Sequence, residues 1–298
     1  MTNPPPCVYL VDGSSYIFRA FFALPPLTNS AGLPTQAIYG FTTMTLKFLK
    51  TYKPEYLAVA LDAGKETFRN QIYQAYKGNR PEAPPQLIPQ FPYIRKVLKA
   101  MSVVVLELEG FEADDIIATL AKDFSARGLS VVIVSGDKDL MQLVGEKVKL
   151  LDTAKEKWID AAAVKEKFGV EPEKVTEVMG LMGDAIDNIP GVKGIGEKTA
   201  SALIQRYESL DNLFDHLDDL EKSDLKGARR IRNALADRKE EALLSRELAT
   251  VRTDVPIRVE PEQLRYRGPE KEKLRELFSE LEFTQLLKAL EADNLAAN

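Results

Sequence analysis

Nine acidic residues are the main candidates for chemistry in this chain of 298 residues. One cysteine and one histidine nearly exclude thiolate or imidazole metal sites and Cys-His or Ser-His nucleophile pairs. Carboxylates that share a small space raise one another's pKa, and a divalent cation removes that cost. Oxygen ligands favour hard ions, so the set predicts two Mg²⁺ ions about 3.5–4 Å apart, with Mn²⁺ as a substitute. The nine are Asp12, Asp62, Glu112, Asp114, Asp115, Asp137, Asp139, Asp184 and Asp187.

Three of these acids follow apolar runs that are typical of buried strands. The runs are Val8–Val11 before Asp12, Tyr56–Leu61 before Asp62, and Val131–Val134 before Asp137. Helical patterns over 36–51, 86–100 and 113–127 lie between them, which predicts an α/β fold with a mostly parallel central sheet flanked by helices. Ligands bind beyond the carboxyl ends of such strands, where the acids would converge.

The pattern changes near Asp160 from alternating strands and helices to helices alone. We therefore predict an α/β core over 1–160, with a weaker strand candidate at Val148–Leu151, and a helical lobe over 161–298. The boundary has no linker rich in Pro, Gly or Ser, which favours two packed lobes. No apolar run approaches the roughly 20 residues of a membrane helix, and no secretory signal is present. The expected location is the cytosol.

Each acidic motif also has a purely structural interpretation. Glu112–Asp115 opens a predicted helix, where acids stabilise the positive end of the helix dipole. Asp137 and Asp139 could cap a helix in the same way. Convergence at one sheet edge favours the metal site, because several carboxylates without a counterion would repel one another.

A glycine-rich turn over Gly191–Ala200 is the strongest motif outside the acids. It is not a Walker A loop, because Glu197 stands where that motif requires lysine. The spacing predicts a hairpin between two helices, with glycines that permit positive φ and with Gly196 directly before the second helix. Amides at that helix start would face a DNA phosphate without reading the sequence. The alternative is a plain structural corner.

Basic residues outnumber acidic ones in two stretches, 65–99 and 221–239, although the whole chain carries a net charge of −5. This distribution favours a polyanionic partner, and the alternative is an ordinary solvated surface. Lys77 and Arg80 are spaced to lie on one helical face and to bind a phosphate. Tyr76 and neighbouring aromatic residues could stack unpaired bases.

Six motifs in the same order resemble the 5′-nuclease (flap endonuclease) superfamily, most closely its branch at the N-terminus of bacterial DNA polymerase I. They are Leu10–Tyr16, Tyr76–Arg80, Glu112–Asp115, Gly136–Asp139, Gly183–Gly191 and Gly194–Ala200. The resemblance implies a PIN-like or resolvase-like α/β core and a helical lobe. It also implies Mg²⁺-dependent 5′-3′ exonuclease and 5′-flap endonuclease activity on DNA in replication and repair, including removal of flaps or RNA primers. One departure is Ala185-Ile186, where relatives often have small polar residues.

The resemblance also assigns roles to the acids. It gives the first metal five ligands, with Asp115 between the two ions, and the second metal four ligands, some through water. The first set is Asp12, Asp62, Glu112, Asp114 and Asp115, and the second is Asp137, Asp139, Asp184 and Asp187. Asp12 and Asp115 belong to the catalytic group, together with Lys77 and Arg80, which balance charge in the transition state.

DNA binding is implied at two further places. A helical arch near 65–99 would clamp the 5′ strand around Tyr76, with Arg19 as a further phosphate contact. A helix-hairpin-helix (helix-three-turn-helix) at about 188–207 would hold the downstream duplex, often with K⁺. Its candidate contacts are Lys193, Gly194, Gly196, Lys198 and Thr199.

The implied partner is DNA with a 5′ end or a 5′ flap and a downstream duplex. The resemblance also implies a monomer, fused to or acting with a DNA polymerase, in the bacterial cytoplasm at the nucleoid. Two alternatives stay open: an RNA-directed nuclease with a similar acidic sheet, which would lack the hairpin, and a non-catalytic DNA-structure-binding module, which would have replaced some of the acids.

Overall fold

A central sheet of six strands organises the first part of the chain in the computed structural model, which describes residues 6–221, 223 and 225–292. The strand order is β3-β2-β1-β4-β5-β6, and every pair is parallel except the antiparallel β5-β6 pair. The strands are β1 (Cys7–Asp12), β2 (Tyr56–Ala60), β3 (Val104–Leu106), β4 (Ser130–Val134), β5 (Val148–Asp152) and β6 (Lys157–Ile159).

Alternate residues of the strands pack into two different hydrophobic clusters, one on each face of the sheet. In β1, Val8 and Leu10 belong to one cluster, whereas Val11 belongs to the other. Side chains of a strand point alternately to opposite faces, so both faces can be buried only if the strand is almost entirely apolar. The uninterrupted apolar runs in the sequence are explained by this burial.

Five helices accompany the sheet before the second lobe begins. Their ranges are α1 (Gly13–Ala23), α2 (Gln36–Tyr52), α3 (Phe68–Ile72), α4 (Phe91–Ala100) and α5 (Ala113–Ala126). Helix α5 packs with the first cluster, and α1, α2 and α4 pack with the second. The predicted sheet with helices on both faces is therefore confirmed.

The second lobe is helical, as the sequence predicts. Its helices are α6 (Ala161–Phe168), α7 (Val175–Met182), α8 (Glu197–Tyr207), α9 (Leu210–Asp215), α10 (Leu217–Glu221), α11 (Ala228–Asp237) and α12 (Lys239–Ala249). The part of the chain that the structure describes also contains four short 3₁₀ helices, at Ile88–Gln90, Asp139–Leu143, Pro172–Lys174 and Pro261–Leu264. Residues of this lobe and of the α5 face share one hydrophobic cluster, so the two lobes are packed together.

The last two helices, α13 (Lys271–Glu280) and α14 (Thr284–Glu291), return to the sheet. Leu274 and Phe278 of α13 are fully buried in the same cluster as Val11 of β1. The backbone N–H of Glu270 donates to the carbonyl of Ala100 at 2.8 Å. The sequence assigned these helices to the lobe over 161–298, but in the structure they cover the α/β core.

The segment 65–99 is helical only in part. It contains the five-residue α3, a run of turns, and α4, whose Ile94 and Val97 are fully buried in the core. In the described residues, no helix is long and apolar enough to cross a membrane.

Candidate active site

The first two acids of the site lie where the order of the strands reverses direction, between β1 and β4. Asp12 ends β1 and caps α1, with Oδ1 accepting from the N–H of Ser15 at 2.9 Å. The Ser135 hydroxyl, just after β4, donates to Asp12 Oδ2 at 2.8 Å and accepts from the N–H of Asp137 at 3.0 Å. Such a reversal opens a crevice beyond the strand ends, so Asp12 and Asp137 lie at its centre.

Three more acids reach the crevice from β2 and from the start of α5. Asp62 follows β2, and its Oδ1 accepts from the N–H of Ala113 at 2.8 Å. Glu112 precedes α5, and Asp114 lies in its first turn. Burial raises the pKa of Asp114 well above its ordinary value, and the carboxylates of Asp12 and Asp137 raise it further. These groups are therefore close enough to repel one another strongly.

Asp139 begins the 3₁₀ helix after β4 and completes the centre of the site. Burial, followed by repulsion from Asp137, raises the pKa of Asp139 to about 8. Its Oδ1 is buried and has no hydrogen-bond partner in the structure. A buried carboxylate oxygen without a partner is costly unless a cation or proton joins it. Carboxylate donors without cysteine or histidine suit hard divalent cations, so the residues present fit Mg²⁺ or Mn²⁺.

Lysine and arginine side chains form ion pairs with the two acids that the second lobe contributes. Asp184 and Asp187 lie on the loop after α7, and Lys138 Nζ is 2.6 Å from Asp184 Oδ2. Arg80 pairs with Asp187, and Lys77 Nζ lies 3.9 Å from the same carboxylate. Lys138 was not predicted, although its place between two acids of the motif Gly136–Asp139 was a usable signal.

Lys77 and Arg80 lie in a turn, so the prediction that they share a helical face is wrong. Lys77 has a left-handed backbone (φ 54°), and its N–H donates to the carbonyl of Asp187 at 2.9 Å. Its Nζ lies 2.7 Å from Glu112 Oε1. Burial lowers the pKa of Lys77, but the carboxylates of Glu112 and Asp187 offset this and raise it overall. Both cations nevertheless line the acidic cavity.

Tyr76 does not offer its ring to DNA in this structure, which corrects its predicted role in base stacking. The residue is 5% exposed, and its hydroxyl donates to Glu112 Oε2 at 3.2 Å. A ring enclosed by protein cannot stack on a base. The polar end of Tyr76 instead contacts a carboxylate that lines the acidic cavity.

Asp115 is also placed differently from the role that the resemblance implies. It is fully buried, and both of its oxygens accept from the guanidinium of Arg69 at 2.8 Å. Sequence analysis did not identify Arg69 as part of the site, because the spacing of a single arginine does not distinguish a buried position from an exposed one.

Two adjoining cavities cover the site. The first, of about 220 Å³, is lined by seven of the nine acids: Asp12, Asp62, Glu112, Asp114, Asp137, Asp139 and Asp187. The second, of about 470 Å³, adds Asp184 and the cations Arg19, Lys138, Lys155 and Lys167. Asp115 lines neither. Within residues 6–221, 223 and 225–292, no three acidic, His or Cys side chains already surround one point as a complete metal cage.

Arg19 projects from α1 into the second cavity. Its guanidinium stacks on the Tyr16 ring at 4.3 Å and donates to the Thr153 hydroxyl at 3.1 Å. These two contacts fix the direction of the cation. The cavity thus joins a basic wall to an acidic floor, an arrangement that suits a phosphodiester held near metal ions.

The glycine-rich turn forms a hairpin between α7 and α8. Val192 and Ile195 are buried, whereas Lys193, Gly194 and Lys198 are exposed, so the apolar pair anchors a polar tip. Gly194 has positive φ (92°). Gly196, predicted to need that freedom, instead has φ −97° and caps α8. Thr199 is half-buried in the first turn of α8.

Comparison with known proteins identifies the family. A model of the 5′-3′ exonuclease N-terminal resolvase-like domain matches residues 7–169, and a model of the 5′-3′ exonuclease C-terminal SAM fold matches 170–272. The chain belongs to the 5′-3′ exonuclease family. This membership confirms both the resemblance and the predicted fold class.

Two relatives of different length show how this chain compares with longer proteins. A 5′-3′ exonuclease of Aquifex aeolicus (strain VF5) is 40% identical over 284 residues, which cover 95% of each chain. DNA polymerase I of Bacillus subtilis (strain 168) is 43% identical over 292 residues, which cover 97% of this chain and 32% of the polymerase. The exonuclease-family chain therefore spans about a third of the polymerase.

Solved structures share the fold at lower identity. T5 5′-exonuclease with bound zinc ions has a TM-score of 0.66 at 23% identity, covering 82% of this chain and 89% of its own. The catalytic core of Rad2 in complex with a DNA substrate also has a TM-score of 0.66, at 17% identity, covering 96% and 93%. Both likenesses extend through the α/β core and the helical lobe of the exonuclease-family chain.

Proposed function

We propose that the protein is a Mg²⁺-dependent nuclease that hydrolyses DNA near a 5′ end or at the base of a 5′ flap. One observation carries this proposal: seven carboxylates and three cationic side chains (Arg69, Lys77 and Arg80) line a single cavity beyond the strand ends. A cavity lined by carboxylates alone would repel a phosphodiester. It can therefore bind one only when metal cations are bound there as well. The zinc ions reported in T5 5′-exonuclease and the DNA in the Rad2 complex support the same assignment.

Asp12, Asp62, Glu112 and Asp114 would hold one ion, and Asp137, Asp139, Asp184 and Asp187 the other. When bound, two such ions supply a water of lowered pKa and positive charge beside the departing 3′ oxygen. Lys77 and Arg80, held over the cavity by their carboxylate partners, would stabilise charge that develops on the phosphate. Arg19 would orient the phosphate from the basic wall of the second cavity.

The downstream duplex would bind to the hairpin. Its tip exposes Lys193, Gly194 and Gly196, and α8 begins with backbone amides that no side chain caps. Contacts of this type bind phosphate without reading sequence. Backbone carbonyls of the hairpin are the kind of ligand that K⁺ takes, and we include K⁺ there. The protein would act as a monomer, joined to or working with a DNA polymerase, at the nucleoid of a bacterial cytoplasm.

A labelled 5′-flap duplex, incubated with Mg²⁺ or with EDTA, tests the proposal. We expect products cut at the flap base with Mg²⁺ and none with EDTA. Asp12→Asn should abolish cleavage and retain DNA binding, because it removes both a ligand and a negative charge. Asp123→Asn, which changes a surface acid paired with Arg127, is the matched control.

Two outcomes would favour the alternatives. Binding without cleavage at any Mg²⁺ or Mn²⁺ concentration would indicate a DNA-structure-binding module. Cleavage of a 5′ strand made of RNA, with an all-DNA flap left intact, would indicate an RNA-directed nuclease.

A further inference from the structure

Arg69 is a buried arginine whose five N–H groups all have acceptors. Nη1 donates to Asp115 Oδ2 at 2.8 Å and to Glu112 Oε2 at 3.1 Å, and Nη2 donates to Asp115 Oδ1 at 2.8 Å. The remaining donors reach the carbonyls of Thr250, at 3.1 Å, and Leu248, at 2.9 Å. The side chain is 2% exposed. A guanidinium has five such donors, so Arg69 has none left for DNA.

Asp115 is saturated in the same way. Besides the two bonds from Arg69, Oδ1 accepts from the N–H of Arg252 at 2.8 Å and Oδ2 from the N–H of Glu112 at 3.2 Å. A carboxylate offers about four lone-pair sites, and four donors occupy them here. Asp115 therefore has no lone pair available for a metal ion.

Asp114, the preceding residue, faces the opposite way. It lines the acidic cavity, and within the described chain it forms no ion pair. Adjacent residues in the first turn of α5 thus serve different partners: Asp114 faces the cavity, and Asp115 faces the interior.

Arg69 also fixes one wall of the cavity. The end of α12 supplies Leu248 and Ala249 to that wall, and the chain after the helix supplies Val251. Arg69 holds this segment through the carbonyls of Leu248 and Thr250, as described above. Gln142 holds it from the other side, because its side chain donates to the carbonyl of Ala249 at 2.9 Å and accepts from the N–H of Val251 at 3.1 Å.

We propose that Arg69 is a positioning residue and that Asp115 is its buried counter-charge, not a metal ligand. Arg69 orients Glu112 by binding Oε2, which leaves Oε1 on the side of Lys77 and the cavity. The inference rests on the proposed function, since the ions that Glu112 would help to hold are part of it.

Crystals of the full chain soaked in Mn²⁺ test the role of Asp115 directly. Anomalous difference peaks should lie at a coordination distance of about 2.1 Å from oxygens of Asp114 and its cavity neighbours. The Arg69–Asp115 hydrogen bonds should persist with the metal bound. A manganese ion coordinated by an Asp115 oxygen would overturn the proposal.

Arg69→Lys tests positioning, because lysine keeps the charge and loses the planar fork. We expect Mn²⁺ affinity, measured without DNA by electron paramagnetic resonance, and the single-turnover rate to fall about 10–100-fold. Affinity for flap DNA should stay within about twofold, since all five N–H groups of Arg69 already have protein acceptors. Arg252→Lys, whose side chain pairs with Asp254 at the surface, is the control. Wild-type Mn²⁺ affinity and rate in Arg69→Lys would contradict the proposal.

A stability cycle separates this inference from the proposed function. Arg69→Met and Asp115→Asn should each lower the melting temperature of the metal-free protein, and the double variant should lose less than the sum, because each single change leaves a buried group unpaired. Additive losses would refute the pairing. If the wild-type protein neither binds Mn²⁺ nor cuts flap DNA, the proposed function fails, and this cycle still decides whether Asp115 serves Arg69.

Discussion

At the residue scale, the carboxylates of the site differ in what neutralises them. Lysine or arginine side chains contact Glu112, Asp184 and Asp187. Among the described residues, no cation pairs with the central carboxylates, and burial with mutual repulsion raises the pKa of three of them: Asp12, Asp114 and Asp139. The uncompensated negative charge is thus concentrated at the centre of the site, where a divalent cation would lower the energy most.

This concentration of charge predicts how the stability of the metal-free protein depends on pH. Asp139 has a pKa of about 8 in the folded protein, whereas the pKa of an aspartate in an unfolded chain is about 3.9. Between these values the folded state binds more protons, so the free energy of unfolding falls as pH rises. In EDTA, the melting temperature should therefore fall between about pH 5 and pH 8.5. Asp139→Asn should flatten the profile, as thermal unfolding followed by circular dichroism would show.

Mg²⁺ provides the companion measurement for this pH profile. Because the ion competes with protons for the same carboxylates, it should raise the melting temperature more at high pH than at low pH. Asp123→Asn, on the surface of α5, should keep the wild-type slope. A melting temperature that does not change with pH in EDTA would contradict the assignment of raised pKa values to the site.

Lys77 should contribute more to rate than to DNA affinity. Its Nζ is held by Glu112 Oε1 at 2.7 Å beside the cavity, so its charge is already in place when the phosphate reacts. Lys77→Ala should lower the single-turnover rate by about 10²–10³-fold, the cost of one preorganised electrostatic donor. Lys47→Ala, which changes an exposed lysine paired with Glu156 outside the stretch 65–99, is the control. Weaker DNA binding at an unchanged single-turnover rate would show that Lys77 only binds.

Sequence reasoning located the acids better than their partners. Seven of the nine acids line one cavity. Six of them follow strands or begin the helices that come after strands, and such positions must meet at one edge of a parallel sheet. The orientation of Asp115 could not be predicted in this way, since Asp114 and Asp115 share one motif and only packing decides which of them faces inward. The burial of the Tyr76 ring could not be predicted either, because it too is decided by packing.

At the element scale, close backbone contacts hold the first part of the loop between α7 and α8, from Gly183 to Gly191. Gly183 and Gly191 have positive φ (67° and 60°), and a Cβ at Gly183 would lie 2.7 Å from the nitrogen of Gly191. The backbone of Asp184 exchanges two hydrogen bonds with that of Ile189, at 2.8 and 2.9 Å. This close approach of two backbone segments fixes where Asp184 and Asp187 project.

Gly191→Ala should therefore disrupt the loop. The methyl group would overlap the backbone of Gly183, and a positive φ adds about 1–3 kcal/mol of strain for a residue with a side chain. We expect a lower melting temperature and a weaker response of the rate to Mg²⁺. Gly196→Ala is the matched control for stability, because its Cβ would meet open space at an ordinary φ of −97°. Equal melting temperatures for the two variants would show that the loop tolerates movement.

Element types were more predictable from sequence than element partners. The apolar runs and caps indicated the parallel strands and α5, because a strand buried on both faces has a composition that few other structures share. The antiparallel edge strand β6 was not predicted, since its residues Lys157 and Trp158 are exposed and show no alternation. Helices α13 and α14 were identified only as helical, and their packing on the sheet depends on contacts distant in sequence.

At the scale of the whole molecule, α12 connects the hairpin to the acidic cavity. The Ser245 hydroxyl on α12 accepts from the N–H of Gly191 at 2.8 Å. Leu248 and Ala249, at the end of the same helix, line the cavity. A duplex held at the hairpin would thus be held by the same rigid unit that forms one wall of the site, which favours cleavage at a fixed distance from the duplex.

This arrangement predicts separate roles for the hairpin and the cavity. Lys193 and Lys198 are exposed at the hairpin and line neither cavity, so changing both to alanine should weaken binding to flap substrates with a long downstream duplex. Removal of a lysine that binds a phosphate should make the dependence of log affinity on log salt concentration less steep, by about one unit of slope per lysine. Affinity for single-stranded DNA and the Mg²⁺ dependence should change little, because neither depends on binding of the duplex.

Lys288→Ala provides the control for the hairpin variant, because Lys288 is exposed on α14, which packs against the sheet far along the chain from the hairpin. Affinities for long-duplex and single-stranded substrates should be compared at several salt concentrations, since salt alone changes them steeply. Equal losses on both substrates would mean that the hairpin lysines act through general charge. An unchanged affinity and salt slope for the long duplex would mean that the duplex lies elsewhere and that the hairpin is a structural corner.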